Sequence, residues 1–251
     1  MDINNQYGAL EMQEQLLLLL KDFHQFCVAY KIQYSLDWGS LLGAIRHKGF
    51  IPWDDDLDIM VDRNNYEKIK LHIKDSSLTI DRDKMALWID RIRSRNDKRV
   101  GSYLPTIDIF LVDNAPDGKW ARKFRLLSLL FLQGMLKSNP NFKKGNFILR
   151  LSTMVTYFFG RIVPNGVKLK WYNSLMQRSN GKSTEKKASY NTAFEDMPKL
   201  YDNHVMDQVM AVPFEDTEAF ITSAYHQCLI DKFGPDYMTP PSNDKRIPTH
   251  L

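Results

Sequence analysis

The stretch "IPWDDDLDI", residues 51–59, places four aspartates within five positions and flanks them with apolar residues. Carboxylates this close repel one another, so the segment needs solvent or a counter-charge. Pro52 argues against a helix, and the alternation after Asp56 reads as a strand. Side chains alternate faces along a strand. Asp54, Asp56, Asp58 and Asp62 then share one face with Met60, while Leu57, Ile59 and Val61 take the core face. Asp56 and Asp58 are the central pair. Their Cα atoms lie about 6–7 Å apart in an extended chain, so both carboxylates can meet one hard cation, Mg²⁺ or Mn²⁺. Asp54 and Asp55 belong to the turn before the strand.

Three other readings of the aspartates fit the sequence less well. An EF-hand loop begun at Asp54 needs Gly at its sixth position and Glu at its twelfth, where this chain has Ile59 and Asn65. A diphosphate-binding DDxxD motif on Asp54, Asp55 and Asp58 needs a helix, and no partner motif appears. A solvated acidic turn explains Asp54 and Asp55 better than it explains Asp56 and Asp58.

Two neighbouring stretches enlarge the cluster. In "TIDIFLV" (106–112) Asp108 points opposite Ile107 and Ile109, a lone carboxylate in an apolar strand. Beside the 56–61 strand it completes a set of three; the alternative is an edge residue facing water. Upstream, "WGSLLGAIR" (38–46) reads as a Gly39–Ser40 turn opening a short helix. Such a turn offers backbone N–H groups and a hydroxyl to an anion. Phosphate at that helix start, bridged by a metal held on the next strand, is a coherent phosphoryl-transfer arrangement.

Working outward, residues 9–30 have helical spacing, "IQYSLDW" (32–38) alternates as a strand, and 63–73 returns to helix. Strands are expected at 78–81, 86–93 and 106–112, and "NAPDG" (114–118) is a loop. Residues 120–160 hold two long apolar-basic helices, and 166–180 a third. "RSNGKSTEKK" (178–187) is a polar loop. Next come a short strand, a helix from about Thr217 to Phe233, and a Pro-rich tail. Strands first and helices after indicate an α+β fold, a mixed sheet with a helical subdomain. The divisions expected are a catalytic core at 1–118, a helical insertion on the acceptor side at 119–190, and a segment at 191–251 that packs back on the core.

The composition suits a globular domain, with 43% hydrophobic and 25% charged residues. A net charge of +4 fits an anionic small-molecule substrate and falls short of a nucleic-acid footprint. Cys27 and Cys228 show no zinc or CxxC spacing. Buried free thiols are expected, which fits a reducing, cytoplasmic compartment. The N-terminus lacks a signal-peptide pattern. The 120–160 helices are expected to turn their apolar faces inward. The alternative is peripheral contact with an anionic membrane surface, where a lipid-linked acceptor would wait.

With these motifs in hand, "GSLLGAIRHKGFIPWDDDLDIMV" (39–61) resembles the signature of the LicD family, phosphocholine-transferase-like members of the nucleotidyltransferase superfamily related to fukutin-type ribitol-phosphate transferases. The "IDIF" aspartate and the closing segment "YHQCLIDKFGPDYMTPPSNDKRIPTH" (225–250) are similar to that family as well. The resemblance implies a nucleotidyltransferase-like mixed sheet flanked by helices. It also implies transfer of a phospho-alcohol such as phosphocholine from a CDP-activated donor to a sugar hydroxyl of a glycan, with release of CMP. Lipopolysaccharide, capsule or teichoic acid is the expected class of target. Asp56 and Asp58 would be metal ligands for Mg²⁺ or Mn²⁺. Asp108 would be a third ligand or the base, and Gly39 and Ser40 would hold donor phosphate. Arg46, Arg91 and Arg93 are candidates for phosphate contact, Trp53 for packing beside the base or covering the strand start. His47 reads as a turn residue. Arg246 and His250 match closing positions of the family without an assigned role. The alternative activity is transfer of NMP itself to a small molecule or nucleic acid; the non-enzymatic alternative is an inactive glycan-binding relative.

Overall fold

The computed structural model describes residues 8–82, 86–96, 98–143 and 145–248. In chain order the elements begin with α1 (Leu10–Ala29), β1 (Ser35–Leu36), α2 (Trp38–Arg46), β2 (Leu57–Asp62), α3 (Arg63–His72), β3 (Leu78–Arg82), β4 (Asp90–Ser94) and β5 (Ile107–Asn114). Then come α4 (Lys119–Leu136), α5 (Phe147–Ile162), α6 (Asn165–Met176), β6 (Lys186–Ser189) and β7 (Tyr201–Asp202). The chain closes with β8 (Val209–Phe214), β9 (Thr217–Thr222) and α7 (Tyr225–Phe233). The fold is α+β with a mixed sheet. Two compact units form. The first takes residues up to Asp81, Arg91–Leu111 and the chain from His204 onward; the second takes Arg82–Asp90 and Val112–Asn203.

In the first unit the strand order is β1-β2-β5-β4-β3. β1 pairs antiparallel with β2, Leu36 opposite Ile59 and Ser35 opposite Met60. Leu57 through Val61 are all buried, Asp58 and Met60 included, so both faces of β2 are covered. The expected apolar face at Leu57, Ile59 and Val61 is therefore present, but Met60 does not share an open face with the aspartates. Asp62 is not a face residue of the site either. Its side chain caps α3 by accepting from the Asn65 N–H at 2.8 Å. Helix α1 buries Met12, Leu16, Leu19, Phe23 and Phe26 at helical spacing and packs on β9.

Three local expectations are corrected. The seven-residue strand at 32–38 shrinks to Ser35–Leu36, because α2 begins at Trp38 with Asp37 in the N-cap position. Gly39 and Ser40 thus lie in the first turn of the helix rather than in a turn before it. The strand read at 86–93 begins at Asp90. The helix read from Thr217 begins at Tyr225, since 217–222 is the second strand of the β8–β9 hairpin, Phe214 opposite Thr217.

In the second unit, the last residues of β5 pair antiparallel with β6, Val112 opposite Ser189 and Asn114 opposite Lys187, and β7 extends β6. Helices α4, α5 and α6 pack together. α4 and α5 approach closely at small residues: a methyl on Gly134 would sit 2.7 Å from the Thr156 hydroxyl, and one on Gly160 would run into the Met135 backbone. The buried Lys168 ammonium donates to the Met135 carbonyl at 2.9 Å and the Gly160 carbonyl at 2.7 Å. It therefore ties the two helices at orphan carbonyls near their ends. Burial, with the Arg161 charge second, lowers its pKa.

Candidate active site

All the residues of the candidate site lie in the first unit. The register that pairs Leu36 with Ile59 carries Asp37 opposite Asp58, and the Asp37 N–H donates to the Asp58 carbonyl at 2.9 Å. The chain then turns sharply. Trp38 adopts φ 43°, a left-handed conformation costly for a bulky L-residue. That turn drives Gly39 and Ser40 into α2 directly beside β2. The Ser40 hydroxyl accepts from the Asp58 N–H at 2.9 Å, fastening helix to acidic strand.

Gly39 has a steric reason to be glycine. A methyl there would overlap the Asp54 carboxylate. The close backbone approach that glycine permits is here an approach to a side chain carrying one of the clustered charges. The loop bearing that side chain is anchored twice. The Gln13 amide donates to the Ile51 carbonyl at 2.9 Å and the Asp54 carbonyl at 2.7 Å. The Glu215 carboxylate accepts from the Phe50 N–H at 2.8 Å, and the Glu215 N–H donates to the Lys48 carbonyl at 2.7 Å.

Asp58 is the electrostatic centre. Burial is the largest cause of a pKa raised well above the ordinary carboxylate range, followed by the charges of Asp56, Asp108, Asp37 and Asp54. Of the expected trio, Asp56 and Asp108 each lie within electrostatic range of Asp58. Two further carboxylates join it: Asp54, expected only as a turn residue, and Asp37, not singled out from the sequence. The signal for Asp37 was its place just before a helix, where Asp normally caps. It makes no side-chain cap bond. Instead it forms a fully buried ion pair with Lys232 of α7, whose ammonium also lies 4.5 Å from the Trp38 ring centre. Asp37 Oδ2 is buried with no hydrogen-bond partner among the described residues.

Asp108 stands on β5 between the buried Ile107 and Ile109, as the alternation requires. Arg91 of β4 pairs with it: Nη2 donates to Oδ2 at 3.0 Å, and Nε lies 2.7 Å from Oδ1 in ion-pair contact without hydrogen-bond geometry. Arg93, on the same face of β4, pairs with Asp81.

On the other side of the acidic loop, Arg46 closes α2. Its Nη1 donates to the Tyr237 carbonyl at 3.0 Å and its Nε to His47 Nε2 at 3.0 Å. Burial and then the Arg246 charge lower its pKa, while Asp54 opposes. His47 is the residue that ends α2, as expected, and burial followed by Arg46 keeps its pKa low. Trp53 is covered by Arg246, whose guanidinium lies 5.0 Å from its ring centre, and meets the edge of His47 at 6.3 Å. Arg246, left without a role in the sequence, therefore joins Trp53 and Arg46 in a basic-aromatic group. His250 lies outside the described residues.

The donor set has the chemistry of a hard divalent cation: carboxylate oxygens only, a buried Asp58 crowded by like charge, and an orphaned Asp37 oxygen. Asp56 and Asp58 fit such an ion. Asp108 shares its oxygens with Arg91, and among the described residues no three side chains are gathered as a complete ligand set.

Comparison with known proteins bears on this arrangement. Residues 31–124 match the family described as LicD/FKTN/FKRP, nucleotidyltransferase domain. The lipopolysaccharide cholinephosphotransferase LicD of Haemophilus influenzae is 28% identical over 266 residues, covering 96% of this chain and 97% of that protein. An uncharacterized protein of Rickettsia typhi is 39% identical over 70 residues, 27% of this chain and 23% of its own. One of Rickettsia prowazekii is 54% identical over 41 residues, 16% of this chain and 15% of its own.

Proposed function

With residues 31–124 matching the LicD family model as the premise, we propose that the chain is a member of that family and transfers a phospho-alcohol, phosphocholine or a close analogue, from a CDP-activated donor to a sugar hydroxyl of a cell-surface glycan, releasing CMP. The observation that carries the reading is the buried Asp58 with Asp56 and Asp108 in range of it, beside a helix start not capped by its own N-cap side chain. Full-length similarity to a lipopolysaccharide cholinephosphotransferase supports the glycan acceptor. Two buried free thiols support a reducing, cytoplasmic setting.

Asp56 and Asp58 would hold Mg²⁺ or Mn²⁺, with Asp108 as a third ligand where Arg91 leaves it an oxygen. The ion supplies positive charge against the donor diphosphate and the charge that develops as the bond to phosphorus changes. The backbone N–H groups at Gly39 and Ser40 receive donor phosphate at the start of α2. Arg46, with Arg91 and Arg93 on β4, adds guanidinium charge. Trp53, backed by Arg246, offers a face to the cytosine. The acceptor oxygen attacks the phosphorus bearing the alcohol; the new P–O bond forms as the P–O bond to CMP breaks, in line. Asp108, oriented by its ion pair with Arg91, takes the hydroxyl proton, and CMP leaves with the electron pair.

A donor screen with CDP-choline, CDP-ethanolamine, CDP-ribitol and CDP-glycerol, with Mg²⁺ or Mn²⁺ and candidate glycans, tests the reading. CMP release coupled to a phospho-alcohol on the glycan is expected. Asp56→Asn abolishes that turnover and leaves the melting temperature near wild type; near wild-type turnover in this variant overturns the metal assignment. Free phospho-alcohol with a CMP-bearing acceptor, or pyrophosphate when CTP is supplied as donor, would instead indicate NMP transfer.

A further inference from the structure

The second unit carries a surface that the proposed chemistry does not use. Helix α5 buries only Thr156 and Gly160 of its 16 residues. It was expected to turn an apolar face inward. Instead Phe147 and Ile148 are 78% and 75% exposed, and Leu151, Met154, Phe158 and Ile162 are exposed with them. Helix α4 adds a stripe on one face, Trp120, Phe124, Leu127 and Phe131, spaced by three or four residues and all exposed. The two faces are continuous. Phe131 meets Phe159 with ring centres 6.4 Å apart, and Phe159 meets Phe158 at 5.8 Å. The close helix crossing at Gly134–Thr156 and Gly160–Met135 fixes both helices in one plane of contact.

An apolar face of this size needs an occupant, and the charge around it identifies one. From Gly118 to Thr184 the chain has thirteen Lys and Arg and no Asp or Glu, whereas the rest has twenty-one against thirty. The cations sit beside the aromatic residues. The Lys123 ammonium lies 5.5 Å from the Trp120 ring centre and the Arg161 guanidinium 5.6 Å from that of Tyr157. Apolar bodies flanked by cations, with aromatics between, match the headgroup boundary of an anionic bilayer. Among the described residues no helix is long and apolar enough to cross a membrane.

We propose that the α4–α5 face docks this protein on an anionic lipid surface, lying in the headgroup region. The proposal stands on the second unit alone and does not depend on the carboxylate chemistry.

Flotation of the full chain with phosphatidylcholine vesicles, with and without phosphatidylglycerol, tests it. Binding is expected to the anionic vesicles, to weaken with added salt, and to fall at least about tenfold in Phe124→Glu/Phe158→Glu. Circular dichroism of that variant confirms an intact fold; as a second, milder probe, Lys123→Ser/Arg161→Ser reduces binding to anionic vesicles only. Absence of vesicle binding, or binding unchanged in the folded Phe124→Glu/Phe158→Glu variant, overturns the proposal. A wild-type dimer that the same variant dissociates, with no vesicle binding, overturns it in favour of a second copy as the occupant.

Discussion

A methyl group on Gly39 would enter the space of the Asp54 carboxylate, whose side chain can swing away. Alanine is the better helix former by about 1 kcal/mol. Gly39→Ala is therefore expected to hold or raise the melting temperature while turnover falls at least about tenfold, because small misplacements in a site are that costly. Calorimetry beside a CMP-release assay separates the two effects. Asp58 gives a pH signature. Unfolded, its carboxyl ionises near pH ~3.9; folded and free of metal, burial and four neighbouring carboxylates keep it protonated to higher pH. The folded state then holds the extra proton, so stability falls as pH rises through that window. In metal-free protein Asp58→Asn should melt above wild type at neutral pH, with the gap closing below the ordinary carboxylate pKa. Added Mg²⁺ should stabilise wild type and not the variant. At this scale the sequence was informative where alternation governs, as at Asp108 between the buried Ile107 and Ile109; Asp56 lies just before β2. It was silent on Asp37 and Lys232, which are 195 positions apart and meet only through packing.

Helix α7 is joined to the start of α2 by that buried pair. Lys232→Met leaves Asp37 charged and unpaired, which should cost about 3–5 kcal/mol. The double variant Asp37→Asn/Lys232→Met should recover most of it; urea unfolding of the three proteins checks this. Elements with strong periodicity or a sharp stop, such as α1, α3, β2 and β5, were legible in the sequence. β9 was not, because its hairpin turn is made by Glu215 at φ 51°, where Gly or Asn would have announced it. Without that signal, Thr217–Thr222 merged with α7 into one apparent helix. β1 was over-read because alternation continues through Asp37 and Trp38, while the left-handed Trp38 ends the strand. β6 was read as part of a loop because most of its residues are polar.

The α+β class follows from the order of strands and helices in the chain. The exposed face of α4 and α5 does not, because an amphipathic pattern identifies an apolar side without saying what covers it. Cys27 and Cys228 both lie in the first unit, buried, and burial raises both thiols, that of Cys228 to about 12. Neither should react with a thiol reagent in the native protein at pH 8. Labelling under native conditions should follow the opening of the first unit, insensitive to Lys168→Met, which loosens α4 and α5 of the second. Mass spectrometry after a timed pulse reads this directly. The anchor of the acidic loop has a bearing on how the protein is made. Glu215 holds Phe50 and Lys48, and Lys232 answers Asp37. During synthesis from the N-terminus at roughly 5–20 residues per second, the aspartates emerge many seconds before the residues that steady them. The acidic strand and its loop are thus translated early and completed late, and in that interval a nascent chain is a natural client for a chaperone.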